Sequence, residues 1–196
     1  MHILVTDHQP TEEIRVSTPA ELNGTYTIDP NHSRIGFVTR HAMVTKVRGN
    51  FNDFEGSATT GAGLENATIE LTAQTASVDT RNEQRDGHLR TGDFFDAEQY
   101  PAITFRSTEV TAADADTLRV TGDLTIKDVT QPVTIDFDYE GAAVDPHGNQ
   151  RIGFEGRTKI ARSDFGLTFN ATLETGGVLV SEDVTLEFEI SAIKNA

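Results

Sequence analysis

Between Val133 and Glu140 apolar and polar residues alternate without exception: Val133, Ile135, Phe137 and Tyr139 on one side, Thr134, Asp136, Asp138 and Glu140 on the other. A period of two places each set on its own face of an extended chain, so the segment predicts a strand with one buried and one wet face. The pattern returns in Val184-Thr185-Leu186-Glu187-Phe188-Glu189-Ile190. It returns again around Gly122, where Leu118, Val120, Leu124 and Ile126 alternate with polar neighbours. Further strands are predicted at 25–28, 34–41, 46–59, 67–73, 102–108 and 151–162, set between Gly, Asn and Asp breaks. Helical periodicity is nearly absent. The sum is about eight or nine half-buried antiparallel strands in an all-β domain.

Several of these strands carry an internal glycine, at Gly36, Gly49, Gly56, Gly122, Gly153 and Gly156. Glycine there marks bends, bulges or close approach of another group. A sheet of about eight strands closed on itself is either filled by side chains or wide enough for one small ligand, and small inward residues favour the second. The connector from Asn82 to Glu98 is long for a hairpin and predicts a short helix, begun near Thr80 and stopped by Gly92. Residues 1–22 show no sustained period and are punctuated by Pro10 and Pro19, which predicts a flexible arm before a folded domain at 23–194.

A length of 196 residues suits one substantial domain. The formal charge of −15, from 31 acidic and 16 basic residues, is spread along the chain and argues against a nucleic-acid partner. With no cysteine there is no disulfide, thiolate zinc site or cysteine nucleophile. The N-terminus has a three-residue apolar run, Ile3 to Val5, and lacks the basic flank and apolar core of a signal peptide. No run approaches the roughly 20 apolar residues of a membrane span. The expectation is a cytoplasmic protein without an integral membrane segment.

The densest candidate chemistry lies in Arg85-Asp86-Gly87-His88-Leu89-Arg90-Thr91-Gly92-Asp93-Phe94-Phe95-Asp96. Guanidinium, carboxylate, imidazole and two phenylalanines in one short connector supply both a polar anchor and an apolar wall, which suits an amphipathic ligand. Arg85 sits one helical turn from Leu89, with Asp86 as its expected ion-pair partner, either facing a barrel mouth or closing its end structurally. His41 is in phase with Ile35 and Phe37, so it is expected toward the apolar side, bonded to a core group or to a ligand. No two histidines have the i, i+4 spacing of a helical zinc pair, no metal site is expected, and neither G-x-S-x-G nor a phosphate loop is present.

Taken in order, Asp29-Pro30-Asn31-His32-Ser33 with Phe37 and His41, Gly49-Asn50-Phe51, Phe54-Glu55-Gly56, Ser77-Val78-Asp79-Thr80 and the Arg85–Leu89 run resemble the YceI-like family. The likeness continues through Asp93-Phe94-Phe95-Asp96, Tyr100 to Phe105, Gly122 to Lys127 and Arg162-Ser163-Asp164-Phe165-Gly166, covering roughly 24 to 193. The resemblance implies an extended eight-stranded antiparallel lipocalin-like barrel that holds a long isoprenoid chain without an established enzymatic activity. It also implies a homodimer. Many members are periplasmic, and the N-terminus here departs from them.

On strand phase and motif, the tail of such a lipid is assigned to Phe37, Phe51, Phe105, Ile126 and Phe154, with Leu89 anchoring the helix and Phe94 and Phe95 near the mouth. Arg85, Asp86, His88 and His41 are the candidates for its polar head. No cofactor is expected beyond a tightly bound isoprenoid, such as a polyprenyl chain or an isoprenoid quinone. Two rivals stand beside this carrier: an enzyme acting on a bound lipid through His41, His88 and Asp86, and a filled barrel that serves as an interaction protein.

Overall fold

The computed structural model describes residues 18–196. Residues 1–17 of the expected arm lie outside the described residues. Residues 18–22 are packed onto the domain, with Pro19 and Leu22 buried around a 3₁₀ turn at Pro19–Glu21. The strands are β1 (Gly24–Ile28), β2 (Arg34–His41), β3 (Thr45–Phe51), β4 (Phe54–Thr60), β5 (Thr68–Gln74), β6 (Val78–Asp79), β7 (Ala102–Ala112), β8 (Thr117–Ile126), β9 (Val129–Val144), β10 (Gln150–Ala161) and β11 (Asp183–Lys194). The connector helix α1 spans Glu83–Leu89, started by the Asn82 side chain, which accepts from Arg85 N at 2.9 Å. It ends short of Gly92, with Arg90 as its C-cap.

All pairings are antiparallel and the sheet closes on itself. β1 and β2 lie end to end along β11, β3 and β4 lie end to end along β2 and β1, and β6 continues the line of β5. Counting each of those as one bent strand, eight strands run around the barrel, closed where Tyr26, Thr27 and Ile28 pair with Lys194, Ile193 and Ala192. Closure leaves no long unpaired edge, the feature that otherwise invites aggregation. No helix among the described residues is long and apolar enough to cross a membrane.

The bends follow from side-chain phase. Phe51 and Phe54 are both buried although three residues apart, which a regular strand with period two cannot achieve. Asn52 and Asp53 interrupt the strand expected at 46–59 and reset the phase. Two bulges do the same elsewhere, at Thr108 in β7 and at Glu140 in β9, where Gly141 takes φ +116°.

The internal glycines mark close approach, one of the roles expected of them. Gly36 and Gly153 face outward, against Arg34 and Glu140. Gly49, Gly122 and Gly156 lie beneath the rings of Phe37, Phe105 and Phe137. These inward glycines leave no empty space. They let a phenylalanine from the next strand lie flat on the wall.

The closing seam also carries the most organised charges of the fold. Asp29 follows β1, and its Oδ2 receives Arg151 Nη1 from β10 at 2.6 Å and faces His32 Nδ1 at 2.7 Å. Arg151 Nε reaches Asp145 in the β9–β10 turn at 2.7 Å. Arg151 and then His32 hold the Asp29 carboxyl down at about 2, and bonds from Asn149 and Arg151 lower Asp145 further. A carboxylate depressed in the folded state adds stability above its ordinary value of about 4, lost as pH falls toward the folded value. Thermal melts across the acid range should therefore show Tm dropping between about pH 4 and 2, and Asp29→Asn should flatten that limb.

Glycine substitutions should split in sign. A Cβ on Gly122 would sit 2.5 Å from both Arg106 O and Phe105 Cζ, whereas one on Gly87 in α1 meets nothing within 4 Å. Urea unfolding should show Gly122→Ala destabilised by about 1–3 kcal/mol and Gly87→Ala stabilised by about 0.5–1 kcal/mol.

Candidate functional site: an apolar cavity inside the barrel

The inward faces of the strands do not meet. They enclose a cavity of ≈ 260 Å³, many times the ~10–15 Å³ that a single water occupies. It extends from Leu22 and Leu64 at one end to Leu167 and Val180 at the other, with Phe105, Val120, Leu124, Ile135, Phe154 and Phe188 along its walls. Such a lining offers water few hydrogen bonds, so the space favours apolar groups.

At the α1 end the wall is completed by the connector, not by a strand. Leu89 projects into the cavity from α1, and Phe94 and Phe95 follow it. Phe95 is fixed by its N–H to Leu89 O at 3.0 Å and by an edge-on contact with Phe51, centroids 5.5 Å apart. Phe51 in turn packs against Phe37 at 5.8 Å. The segment from Gly166 to Glu182 crosses the same end, where Phe169 contacts His88 at 5.0 Å and Phe94 at 5.2 Å.

Of the residues nominated from the sequence, Phe37, Phe51, Leu89, Phe94, Phe95, Phe105, Ile126 and Phe154 all line the cavity. The four polar ones are not among its lining residues. The Asp86 carboxylate is buried against Thr80, accepting from its N–H at 2.8 Å and its hydroxyl at 2.5 Å. Arg85 does not pair with Asp86. It donates to Thr80 Oγ1 at 2.7 Å and Thr80 O at 2.9 Å and faces an outer groove. Thr80 is thus clamped between them, and both groups are spent on fixing α1 to β6. His88 bonds Asp93 at 2.7 Å on the surface. His41 keeps the inward phase but is exposed, because β2 outruns the barrel and ends in the turn at 42–44.

The cavity wall also holds one charged residue that was not among the nominated site residues. Arg162 is 5% exposed and belongs to the cavity wall, with Nε donating to Ser181 O at 3.0 Å and Nη1 to Leu167 O at 2.5 Å. Its backbone accepts from Leu167 N and donates to Glu182 O. The guanidinium therefore ties both ends of the 166–182 segment to the barrel. The signal was available, since Ile152, Phe154, Ile160 and Arg162 share one strand phase.

Fold and cavity together define an eight-stranded lipocalin-like barrel built around an apolar interior. The YceI-like domain family model matches residues 26–192, and the chain belongs to that family. A UPF0312 protein of Staphylococcus aureus strain MRSA252 is 39% identical over 170 residues, 85% of this chain and 95% of its own. The crystal structure of the Campylobacter jejuni YCEI protein superposes with a TM-score of 0.69 at 32% identity, covering 80% of this chain and 90% of that one. A polyisoprenoid binding domain from Saccharophagus degradans, implicated in plant cell wall breakdown, shares the fold with a TM-score of 0.67 at 17% identity, covering 87% and 98%.

The clamp by Arg162 has a direct consequence. Arg162→Ala leaves the Leu167 and Ser181 carbonyls without their donors, at a cost of about 1–3 kcal/mol. Hydrogen exchange should accelerate across 166–182 while the amides of β8 and β9 stay protected.

Proposed function

We propose that the cavity holds one long apolar chain, an isoprenoid or similar amphipathic lipid, and that the protein stores or carries this lipid without transforming it. The observation that carries the reading is the continuous apolar lining from Leu22 to Val180. The structural relative described as polyisoprenoid binding supports it. Each buried CH₂ contributes about 0.8 kcal/mol, so ~15 carbons supply about 12 kcal/mol. That offsets most of the range of roughly 4–15 kcal/mol lost in association.

In this reading the tail lies against Phe37, Phe51, Leu89, Phe94, Phe95, Phe105, Ile126 and Phe154. The polar end is served by Arg162, whose Nη2 makes no hydrogen bond among the described residues and so is free to donate to a ligand oxygen. The placement of the remaining polar groups favours binding over turnover. Asp86 is committed to Thr80, His88 is tied to Asp93, and His41 stands at the tip of β2, so the three do not converge on a bound chain.

Titration with a fluorescent polyprenyl probe tests the assignment. Ile69→Trp, which fills space at the wall, and Phe105→Arg, which adds a charge to it, should each weaken binding at least about tenfold. The Ile69→Trp variant should keep a cooperative melt, which separates loss of the site from loss of the fold. Unchanged affinity in both would place the ligand elsewhere.

A further inference from the structure

We infer that the α1 end of the barrel carries a docking surface for an anionic lipid bilayer. Two independent features meet there. The first is charge. On a chain of net charge −15, Arg34, Lys46, Arg48, Arg81 and Arg85 surround a single groove on the outer faces of β2, β3 and β6 and the start of α1. Arg40 shares the outward phase of β2. The acids in the groove are Asp79, Glu187 and Glu189. Arg34 pairs with both glutamates at 3.3 Å. Asp79 is engaged by Arg81 N at 2.8 Å and Asn52 Nδ2 at 3.1 Å. Among the described residues no carboxylate stands within ion-pair distance of Lys46, Arg48, Arg81 or Arg85.

The second feature is apolar exposure. Met43 is 55% exposed, Val44 76% and Val178 39%. Met43 and Val44 form the β2–β3 turn, and Val178 belongs to the segment that crosses the same end. Ala42 N donates to Leu179 O at 2.7 Å and His41 bridges Val180 in antiparallel register, so the turn is held against the segment that carries Val178. The turn holds Ala42 and Met43 at φ 50° and 60°, a left-handed conformation that glycine or asparagine adopts at far lower cost. An exposed methionine thus occupies a tip where local backbone preference calls for a small polar residue.

An apolar tip flanked by an excess of cations is the arrangement that enters the headgroup region of an anionic membrane, the side chains burying apolar area and the cations meeting lipid phosphates. The remaining acidic surface is repelled by the same bilayer, which leaves this face as the one that lands. Phosphate-backbone polyanions would find the cations but give Met43, Val44 and Val178 nothing to enter. The docked end is also where Phe94, Leu167 and Val180 bound the cavity.

Co-sedimentation of the full chain with phosphatidylcholine vesicles containing phosphatidylglycerol, against phosphatidylcholine alone, tests the inference. The protein should pellet with the anionic vesicles and be released by salt. Lys46→Glu/Arg48→Glu and Met43→Asp/Val44→Asp should each reduce binding at least about tenfold, with melting temperature and polyprenyl-probe affinity unchanged. Val144→Asp, an exposed apolar site at the opposite end, should bind as wild type. Equal binding to neutral vesicles, or no effect of either double variant, would overturn the docking surface. So would a salt-sensitive dimer, seen by sedimentation velocity without vesicles, that Lys46→Glu/Arg48→Glu dissociates, because the basic face would then meet an acidic face of a second copy. None of these outcomes bears on the cavity, which the probe titration reads separately.

Discussion

A sheet that closes on itself has to put one of its two faces inside, and everything else in this protein follows from that constraint. Pairing β1 with β11 satisfies the last backbone edges, and from there every second side chain of eight strands points into a confined space. Burial requires those side chains to be apolar. The ring also sets the diameter, which here exceeds what the side chains fill. The cavity is therefore a geometric result of closure with this complement of residues, and its apolar character is the stabilisation of the fold seen from the inside.

Much of this was legible in the chain because strand phase is a local property. The alternation at Val133–Tyr139 and Val184–Ile190 identified inward residues without knowledge of any partner strand. Phe37, Phe51, Phe105, Ile126 and Phe154 line the cavity for that reason, while Leu89, Phe94 and Phe95 were found from the connector motif. What phase alone could not show was where it resets. The segment 46–59 reads as one strand because threonine, valine and phenylalanine continue through it. Only the need to bury both Phe51 and Phe54 forces the break at Asn52-Asp53. Close approach at the glycines was legible as well, but not what approaches, because the ring that covers Gly49, Gly122 or Gly156 comes from a neighbouring strand.

The polar candidates lie off the cavity lining for a different reason. Arg85, Asp86 and His88 are concentrated in a connector, and a connector that has no ladder hydrogen bonds needs side chains to hold it. Asp86 and Arg85 on Thr80, and Arg90 on the carbonyls of Ala76 and Val78, supply that anchoring. Local density of charge signalled how the loop is fastened. The charge that does reach the cavity, Arg162, stands at the end of β10 and is marked in the sequence only as part of the family-like Arg162–Gly166 run. Its two carbonyl bonds make burial of a guanidinium tolerable, and they couple the covering segment to the cavity wall.

An apolar interior held open by closure has one central consequence, that a lipid chain should occupy it. Purifying the protein from its native host, extracting it with organic solvent and weighing the extract by mass spectrometry tests this most directly. The account predicts one long-chain lipid, near one per barrel, whose removal lowers thermal stability. An extract without any stoichiometric lipid, together with a melt unchanged by delipidation, would contradict it and leave a barrel whose interior serves the fold alone.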